Sequence, residues 1–312
     1  MPGLFKKNRR TVLGIDIGAT SLKLVELSRS GPHYRVQAYA MEPLPANAVF
    51  ESTLHEPEVV ALALSRLVRR ARTSVRKVAL AVGGSAVITR TLEMDAGLSD
   101  EQMHAQLRRD AEQFIPYPLD EVAIDFQVQG AAVQGCERVE VLLAACRIEH
   151  LEAREAALAL AGLTAQVIDV ETFALARTLA LLAGDAQRRV AVFELGASVS
   201  LLRVFDGGAL IYSREQSPGA GGLAEPQALV QQLQAFFATV ARGAVDQILL
   251  TGDSTALAAL APVIEQQLGT PTQIANPFAG MTLAGSVDGA ALATDAPALM
   301  VACGLALRSF DG

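Results

Sequence analysis

One pattern of residues occurs twice in this chain of 312 residues, at 12–40 and again at 190–214. Each copy has an apolar run rich in β-branched residues, then an acidic residue, one spacer, Gly and residues that are small or carry a hydroxyl. A second apolar run, a turn that contains Gly and a third run follow. Short runs of this kind with alternating apolar and polar residues indicate strands. Two such copies predict two similar half-domains that face each other.

The tips of the two predicted hairpins carry residues suited to a phosphate group. Glycine lets backbone N–H groups and hydroxyls come close to a phosphate, and a carboxylate at the strand end can hold a hydrated magnesium ion. The acidic residues are Asp16 in the first copy and Glu194 in the second. The other candidates are Gly18, Ala19, Thr20 and Ser21 in the first copy, and Gly196, Ala197 and Ser198 in the second. One such hairpin is also a common structural turn, whereas two at corresponding places favour a nucleotide site.

Composition and charge exclude several classes of protein. Hydrophobic residues make up 51% of the chain, which excludes global disorder and allows two or three subdomains. A net charge of −7 argues against a nucleic-acid partner, because such proteins show clustered positive charge. The scattered Cys and His residues lack the spacing of a metal site. No apolar run is expected to reach the roughly 18 residues that span a bilayer, so the sequence predicts a cytoplasmic protein without a transmembrane segment.

Longer stretches of the sequence resemble a known family. The two hairpins resemble those of the actin, hexokinase and Hsp70 superfamily. Within it, the chain is similar to the PilM family of type IV pilus assembly proteins, related to FtsA, in the runs 4–7, 13–27, 39–49, 84–89, 115–126, 140–147, 275–279 and 286–310. The resemblance implies an α/β, actin-like fold, which is a duplicated ribonuclease H-like fold with an inserted subdomain 1C. It also implies that Lys23 contacts phosphate, like the lysine of actin's first hairpin; the alternative is a strand lysine that faces outward.

The resemblance and the order of predicted elements together give subdomain boundaries. Subdomain 1A is expected at 1–77, the inserted subdomain 1C at 78–167, subdomain 2A at 168–285 and a return to subdomain 1A at 286–312. Helices are expected at 58–70, 99–114, 150–161 and 226–240, and Ser99 is expected to cap the second of them together with Gln102. In relatives, a subdomain called 2B closes over the nucleotide base. Here only 217–245 remains for it, which predicts a vestigial lid.

Two positions predict a weakened nucleotide site. Glu194 stands where the family has Asp, and its longer side chain is still compatible with magnesium. In the segment expected to hold the adenosine, Gly252 is followed by Asp253 where the family has paired glycines. A carboxylate about 5 Å from a phosphate oxygen is repelled by roughly 3 kcal/mol at an effective dielectric constant of about 20; alternatively, Asp253 turns away and caps a helix that starts near Ser254. ATP and magnesium are therefore expected to bind weakly, with little or no hydrolysis and no catalytic residue assigned.

The main ligand that the resemblance implies is a peptide, the cytoplasmic N-terminal segment of the inner-membrane protein PilN, held between subdomains 1A and 1C. The candidate peptide-binding residues are Ile115, Tyr117, Pro118 and Leu119, in a rigid apolar loop where an extended peptide can dock; the same loop is equally compatible with a packed turn. The resemblance further implies contacts with the pilus motor ATPase and other assembly proteins, a homo-oligomeric ring, a role in twitching motility, and a position at the inner membrane through the partner. An active ATPase or kinase on the same fold is the competing prediction.

Overall fold

Two β-sheets with a layer of helices between them form the centre of the computed structural model. The structure describes residues 11–50, 52–131, 137–183, 188–196, 199–216, 230–231, 234, 245–252 and 255–311. In spatial order, the first sheet contains β10 (Thr164–Val170), β6 (Lys77–Val82), β1 (Leu13–Ile17), β2 (Ser21–Ser30), β3 (His33–Pro43) and β16 (Thr282–Leu283). The second sheet contains β13 (Ala209–Gln216), β12 (Ser200–Asp206), β11 (Arg189–Leu195), β14 (Gln247–Gly252) and β15 (Thr272–Ile274).

The two sheets repeat one topology. In the first, β1, β2 and β3 form an antiparallel meander, and β6 lies parallel to β1 on its other side. In the second, β11, β12 and β13 form the same meander, and β14 lies parallel to β11. The prediction of two similar half-domains is therefore confirmed. Because β1 and β11 are both central strands, the hairpin tips that follow them project from equivalent places in the two sheets.

A separate three-stranded sheet is inserted between the strands of the first sheet. It consists of β7 (Val87–Asp95), β9 (Arg138–Arg147) and β8 (Val122–Ala131), with α2 (Asp100–Ala111) packed on it. The sequence predicts an insertion at 78–167, but both ends of that range belong to the first sheet, because β6 and β10 pair with each other there. The inserted segment is therefore shorter than predicted. β6 belongs to the first sheet because it is apolar on both faces, as the unexposed Ala79 and Leu80 show, and such a strand suits the centre of a parallel sheet.

The helices cover the outer faces of the two sheets and fill the space between them. The helices α1 (Pro57–Ala71) and α3 (Ile148–Leu160) pack on the outer face of the first sheet, and α5 (Leu257–Leu268) packs on the second. Between the sheets lie α4 (Glu171–Ala183) and α7 (Met300–Ala306), which share buried clusters with both sheets. A short helix, α6 (Gly289–Asp295), precedes α7. The predicted helices at 58–70 and 150–161 are confirmed as α1 and α3.

The helix predicted from Ser99 begins as expected but ends early. The Ser99 hydroxyl accepts a hydrogen bond from the Gln102 backbone N–H at 3.3 Å, and the Gln102 side chain accepts one from the Ser99 N–H at 2.8 Å. After Ala111 the chain continues in tighter turns, with the Phe114 N–H bonded to the Ala111 carbonyl, so the helix stops before 114. The helix predicted at 226–240 and most of the vestigial lid lie outside the described residues, except that 230, 231 and 234 are helical.

One run of the chain, Gly289–Phe310, is long and apolar enough to cross a membrane by length and composition. The prediction that no run reaches this length was wrong. In the structure the run is divided among α6, α7 and two turns of 3-10 helix, and 72% of its most apolar stretch is buried. Leu299, Ala302 and Leu305 are unexposed and belong to the core, and core helices of soluble proteins meet the same criteria.

Candidate functional site

The two hairpin tips are built alike. In the first, the Gly18 N–H donates to the Ser21 carbonyl at 3.0 Å, and in the second the Gly196 N–H donates to the Val199 carbonyl at 3.1 Å. A Cβ atom at Gly196 would lie 2.4 Å from the Val199 carbonyl oxygen, and one at Gly18 would lie 3.1 Å from the Ser21 carbonyl oxygen. The tightness of each turn therefore accounts for its glycine. Both glycine N–H groups are used inside the turns.

A cleft of about 760 Å³ lies between the tips and reaches the inserted sheet. Its lining includes the predicted phosphate-site residues Asp16, Gly18, Ala19, Thr20, Lys23, Glu194, Gly196 and Gly252, and the predicted peptide-site residues Ile115 and Tyr117. The phosphate site and the peptide site, which were predicted as separate sites, therefore share one cleft in the structure. Ser21, Pro118 and Leu119 are not among the lining residues. Ala197, Ser198 and Asp253 lie outside the described residues.

Lys23 faces the cleft and pairs with Asp16. The two residues are direct cross-strand partners on β1 and β2, and the Lys23 Nζ lies 3.3 Å from the Asp16 Oδ2. Their side chains are 12% and 18% exposed. The alternative of an outward-facing strand lysine is therefore wrong, while a phosphate contact of Lys23 stays a prediction.

Arg203 is a buried charge beside the cleft that the sequence did not predict; it is not among the lining residues, but both of its ion-pair partners, Glu171 and Glu194, are. It lies on β12, its side chain is only 3% exposed, and its guanidinium donates to the Glu194 Oε2 at 3.1 Å and to the Glu171 carboxylate. Glu194 ends β11 of the second sheet, whereas Glu171 is the first residue of α4, directly after the first sheet. The ion pairs therefore join the two halves of the protein at the cleft. An arginine inside the apolar run of β12 is the sequence signal that could have revealed a buried ion pair.

The charges at this end of the cleft perturb one another. Burial raises the pKa of Asp16 and outweighs the lowering effect of Lys23. Burial also raises the pKa of Glu194, against the opposing effect of Arg203. Burial lowers the pKa of Arg203, but the charges of Glu171 and Glu194 outweigh it, so that the pKa is raised overall. Three carboxylates face two cations here, which leaves an excess of one negative charge when all five groups are ionised.

A further cation, Arg154 of α3, lines the cleft. It is 2% exposed and donates to three backbone carbonyls, those of Ala81 at 3.1 Å, His150 at 2.9 Å and Ser52 at 2.8 Å. Within the described part of the chain, Arg154 makes no ion pair. Burial and the charge of Arg154 both lower the pKa of His150, which favours its neutral form at pH 7.

The loop predicted to bind a peptide is partly a packed turn. Ile115 is 5% exposed and belongs to the core of the inserted sheet, and Leu119 packs against the same core. Pro118 is exposed but does not line the cleft. Tyr117 is different, because it is 43% exposed and lines the cleft, with the Arg147 guanidinium 5.3 Å from its ring centre. Of the four predicted residues, Tyr117 therefore presents the most side-chain surface to a ligand.

The donor set of the cleft does not fit a magnesium ion. The two carboxylates predicted to hold it each have a cation of the protein as partner, Lys23 for Asp16 and Arg203 for Glu194. The described residues contain no group of three or more His, Cys, Asp or Glu side chains placed to hold a metal ion. Each cation occupies one oxygen of its carboxylate and offsets its negative charge, so each ion pair competes with a hydrated magnesium ion for that carboxylate.

Comparison with known proteins decides the family. The model of the family "Type IV pilus assembly protein PilM" matches residues 14–231 and 223–310. The chain belongs to the PilM family. The solved structure of a PilM–PilN type IV pilus biogenesis complex superposes with a TM-score of 0.80 at 28% identity, covering 97% of this chain and 100% of that one. The chain is therefore a type IV pilus assembly protein with an actin-like α/β fold, as the family resemblance implied.

More distant similarities concern the fold alone. The ethanolamine utilization protein EutJ from Carboxydothermus hydrogenoformans superposes with a TM-score of 0.53 at 13% identity, covering 95% of this chain and 89% of that one. A Bacteroides thetaiotaomicron protein with an actin-like ATPase fold and unknown function gives a TM-score of 0.49 at 9% identity, over 88% of this chain and 95% of that one. Function therefore has to be argued from the PilM family and from the cleft itself.

Proposed function

We propose that this PilM family member is an adaptor that binds the N-terminal cytoplasmic segment of PilN in the cleft and turns over little or no nucleotide. The observation that carries the proposal is the full-length similarity to a PilM that was solved in complex with PilN. A partner in the inner membrane would hold the adaptor at the cytoplasmic face of that membrane. Contacts with the pilus motor ATPase and other assembly proteins, a ring-shaped oligomer and a role in twitching motility stay predictions.

The shape of the cleft supports a peptide ligand. Its lining includes Val49 and Ser52, which follow β3, and Tyr117 and Arg147, which belong to the inserted segment. Aromatic side chains and arginine are enriched where proteins bind peptides and other proteins, since they offer a large contact area with a polar edge. The stacked pair of Arg147 and Tyr117 is therefore the anchor that we assign to the peptide.

The charge of the hairpin end supports weak nucleotide binding. The excess negative charge of Asp16, Glu171 and Glu194 over Lys23 and Arg203 faces the place where phosphates are expected. One uncompensated charge about 5 Å from a phosphate oxygen costs roughly 3 kcal/mol at an effective dielectric constant of about 20. That penalty corresponds to about a hundredfold loss of affinity. Weak ATP binding with negligible hydrolysis is therefore the expected behaviour.

Calorimetric titration with a synthetic peptide from the start of the cognate PilN tests the adaptor function. We expect binding in the micromolar range or tighter, and a loss of about 1–3 kcal/mol for Tyr117→Ala, with Tyr117→Phe retaining most of the affinity. The matched control is Tyr34→Ala, which removes another tyrosine stacked by an arginine, Arg29 at 5.5 Å, outside the cleft lining. Absence of peptide binding by the native chain would refute the adaptor function, and an unchanged Tyr117→Ala would refute the assigned anchor.

The competing enzyme function is tested by a steady-state ATPase assay with and without that peptide. Its favourable features are the paired tips and the retained Asp16 and Lys23. We expect no turnover above background in either condition. Hydrolysis that Asp16→Ala abolishes would show that the protein is an ATPase after all.

A further inference from the structure

We infer that Arg203 is the resident cation for the carboxylates at the hairpin end of the cleft, so that Glu194 and Glu171 do not bind a divalent metal ion. The inference deepens the nucleotide part of the proposed function and is independent of peptide binding. It rests on how the two tips place their charges and on what surrounds the Arg203 guanidinium.

Each tip neutralises its own carboxylate with a cation from the neighbouring strand. In the first tip, Asp16 lies directly opposite Lys23. In the second, Glu194 lies opposite Leu201, and the cation comes from Arg203, two residues further along β12 and therefore on the same face of the strand. The register differs between the tips, but the result is the same, because the carboxylate that a hydrated metal would approach is already bonded to the protein.

Arg203 cannot easily leave this position. Its side chain is 3% exposed, and the strand that carries it is buried on both faces, with Leu202 and Val204 on the opposite face and Phe205 on the same face as Arg203. A metal ion at Glu194 would have to share the carboxylate with a guanidinium or displace it, and a displaced guanidinium would be left unpaired in a buried strand. Breaking a buried pair in this way is strongly unfavourable, since the remaining charge has no compensating partner.

A second carboxylate makes the arrangement specific for a guanidinium. Arg203 donates from one terminal nitrogen to Glu194 and from the other to Glu171. The planar fork of arginine presents two terminal N–H groups to two acceptors at once, which neither lysine nor a hydrated ion reproduces. Because Glu171 starts α4 and Glu194 ends β11, the same contacts hold the two walls of the cleft together.

The test replaces the cation and offers a metal. We compare the native chain with Arg203→Met by titration with Mn²⁺ monitored by electron paramagnetic resonance. The matched control is Arg189→Met, which breaks an arginine–carboxylate pair in the same sheet, Arg189 with Asp206 at 2.5 Å, outside the cleft lining. The double variant Arg203→Met, Glu194→Gln tests whether any Mn²⁺ binding gained by Arg203→Met depends on the Glu194 carboxylate at the second hairpin tip.

The native chain and Arg189→Met are expected to show no saturable Mn²⁺ binding. Arg203→Met frees two carboxylates, so we expect it to gain saturable Mn²⁺ binding that Glu194→Gln removes. Mn²⁺ binding by the native chain that Glu194→Gln removes, or a folded Arg203→Met that gains none, overturns the inference. If Arg203→Met does not fold, the native chain and its Glu194→Gln variant decide it alone. Peptide binding by the native chain is a separate readout, so the two proposals fail independently.

Discussion

Arg154→Met is expected to destabilise the protein and loosen one wall of the cleft. The arginine ties together three segments, the 52–54 region through Ser52, β6 through Ala81 and α3 through His150. Ser52 has a φ of 64°, a left-handed backbone conformation that costs a residue with a Cβ atom about 1–2 kcal/mol. The bond from Arg154 to the Ser52 carbonyl therefore helps to hold a strained residue that lines the cleft.

The size of the effect follows from the lost bonds. A hydrogen bond contributes about 1 kcal/mol net, so three of them contribute about 3 kcal/mol. Methionine keeps a stem of similar length, which keeps the loss of packing small, and removal of a buried unpaired guanidinium offsets part of the loss. We therefore expect the free energy of unfolding to fall by about 2–4 kcal/mol.

Urea denaturation followed by circular dichroism measures how much the free energy of unfolding falls in Arg154→Met, and hydrogen exchange shows which segments are loosened. The control is Arg76→Met, because Arg76 also donates to backbone carbonyls, of Thr73 and Val75, but from an exposed position. This variant is expected to change the free energy by less than about 0.5 kcal/mol. The region 52–54 is expected to exchange faster in Arg154→Met. A loss below about 1 kcal/mol, or unchanged exchange at 52–54, would show that the three bonds do not hold this wall.

Two further predictions concern the helix layer between the sheets and a tyrosine of β3 that packs against it. A Cβ atom at Gly304 would lie 1.8 Å from the Ala174 carbonyl oxygen, so Gly304→Ala is expected to lower the free energy of unfolding by about 1–3 kcal/mol or more in urea denaturation. The control is Gly280→Ala, where a Cβ atom would have no neighbour within 4 Å and the expected loss is less than about 0.5 kcal/mol. Burial and the neighbouring Asp295 raise the pKa of Tyr39 from 10.0 to about 12. The stability that the neutral Tyr39 side chain contributes is therefore complete below pH 10 and is lost as the pH rises through 12. In the Asp295→Asn variant, an ultraviolet titration should show a lower pKa for Tyr39 than in the native chain.

The duplicated half-domains were predictable because their signal is local and repeated. Strand alternation and turn glycines identify each hairpin, and the second copy makes a chance match improbable. The Ser99 capping box was predictable for the same reason, since its two partners lie three residues apart. The end of that helix was not, because the tighter turns after Ala111 depend on packing against the inserted sheet.

The boundary of the inserted layer could not be read from the order of elements. Which sheet a strand such as β6 joins depends on pairing with distant segments, here β1 and β10. Its fully apolar composition was the available clue, since a strand buried on both faces belongs in the middle of a parallel sheet. The same composition does not reveal the partner strands.

The buried charges of the cleft were missed because their partners are remote in sequence. Arg203 and Glu171 are 32 residues apart, and Arg154 and Ser52 are 102 apart. What the sequence does contain is an arginine in an apolar strand and another in a helix rich in Ala and Leu, and such residues are seldom buried unless they are paired. The two arginines could therefore have been recognised from the sequence as candidates for buried, bonded residues, but their bonding partners could not.

The geometry of the cleft also explains why its glycines do not establish a nucleotide site. A phosphate clamp needs hydrogen-bond donors that are available to the ligand, whereas the N–H groups of Gly18 and Gly196 donate inside their own turns. The cations are similarly engaged, Lys23 with Asp16 and Arg203 with two carboxylates. The turns would therefore need glycine whether or not a nucleotide is bound. Because both cations are held by carboxylates, exchanging the cation at 203 is the substitution that most directly tests what this end of the cleft can bind.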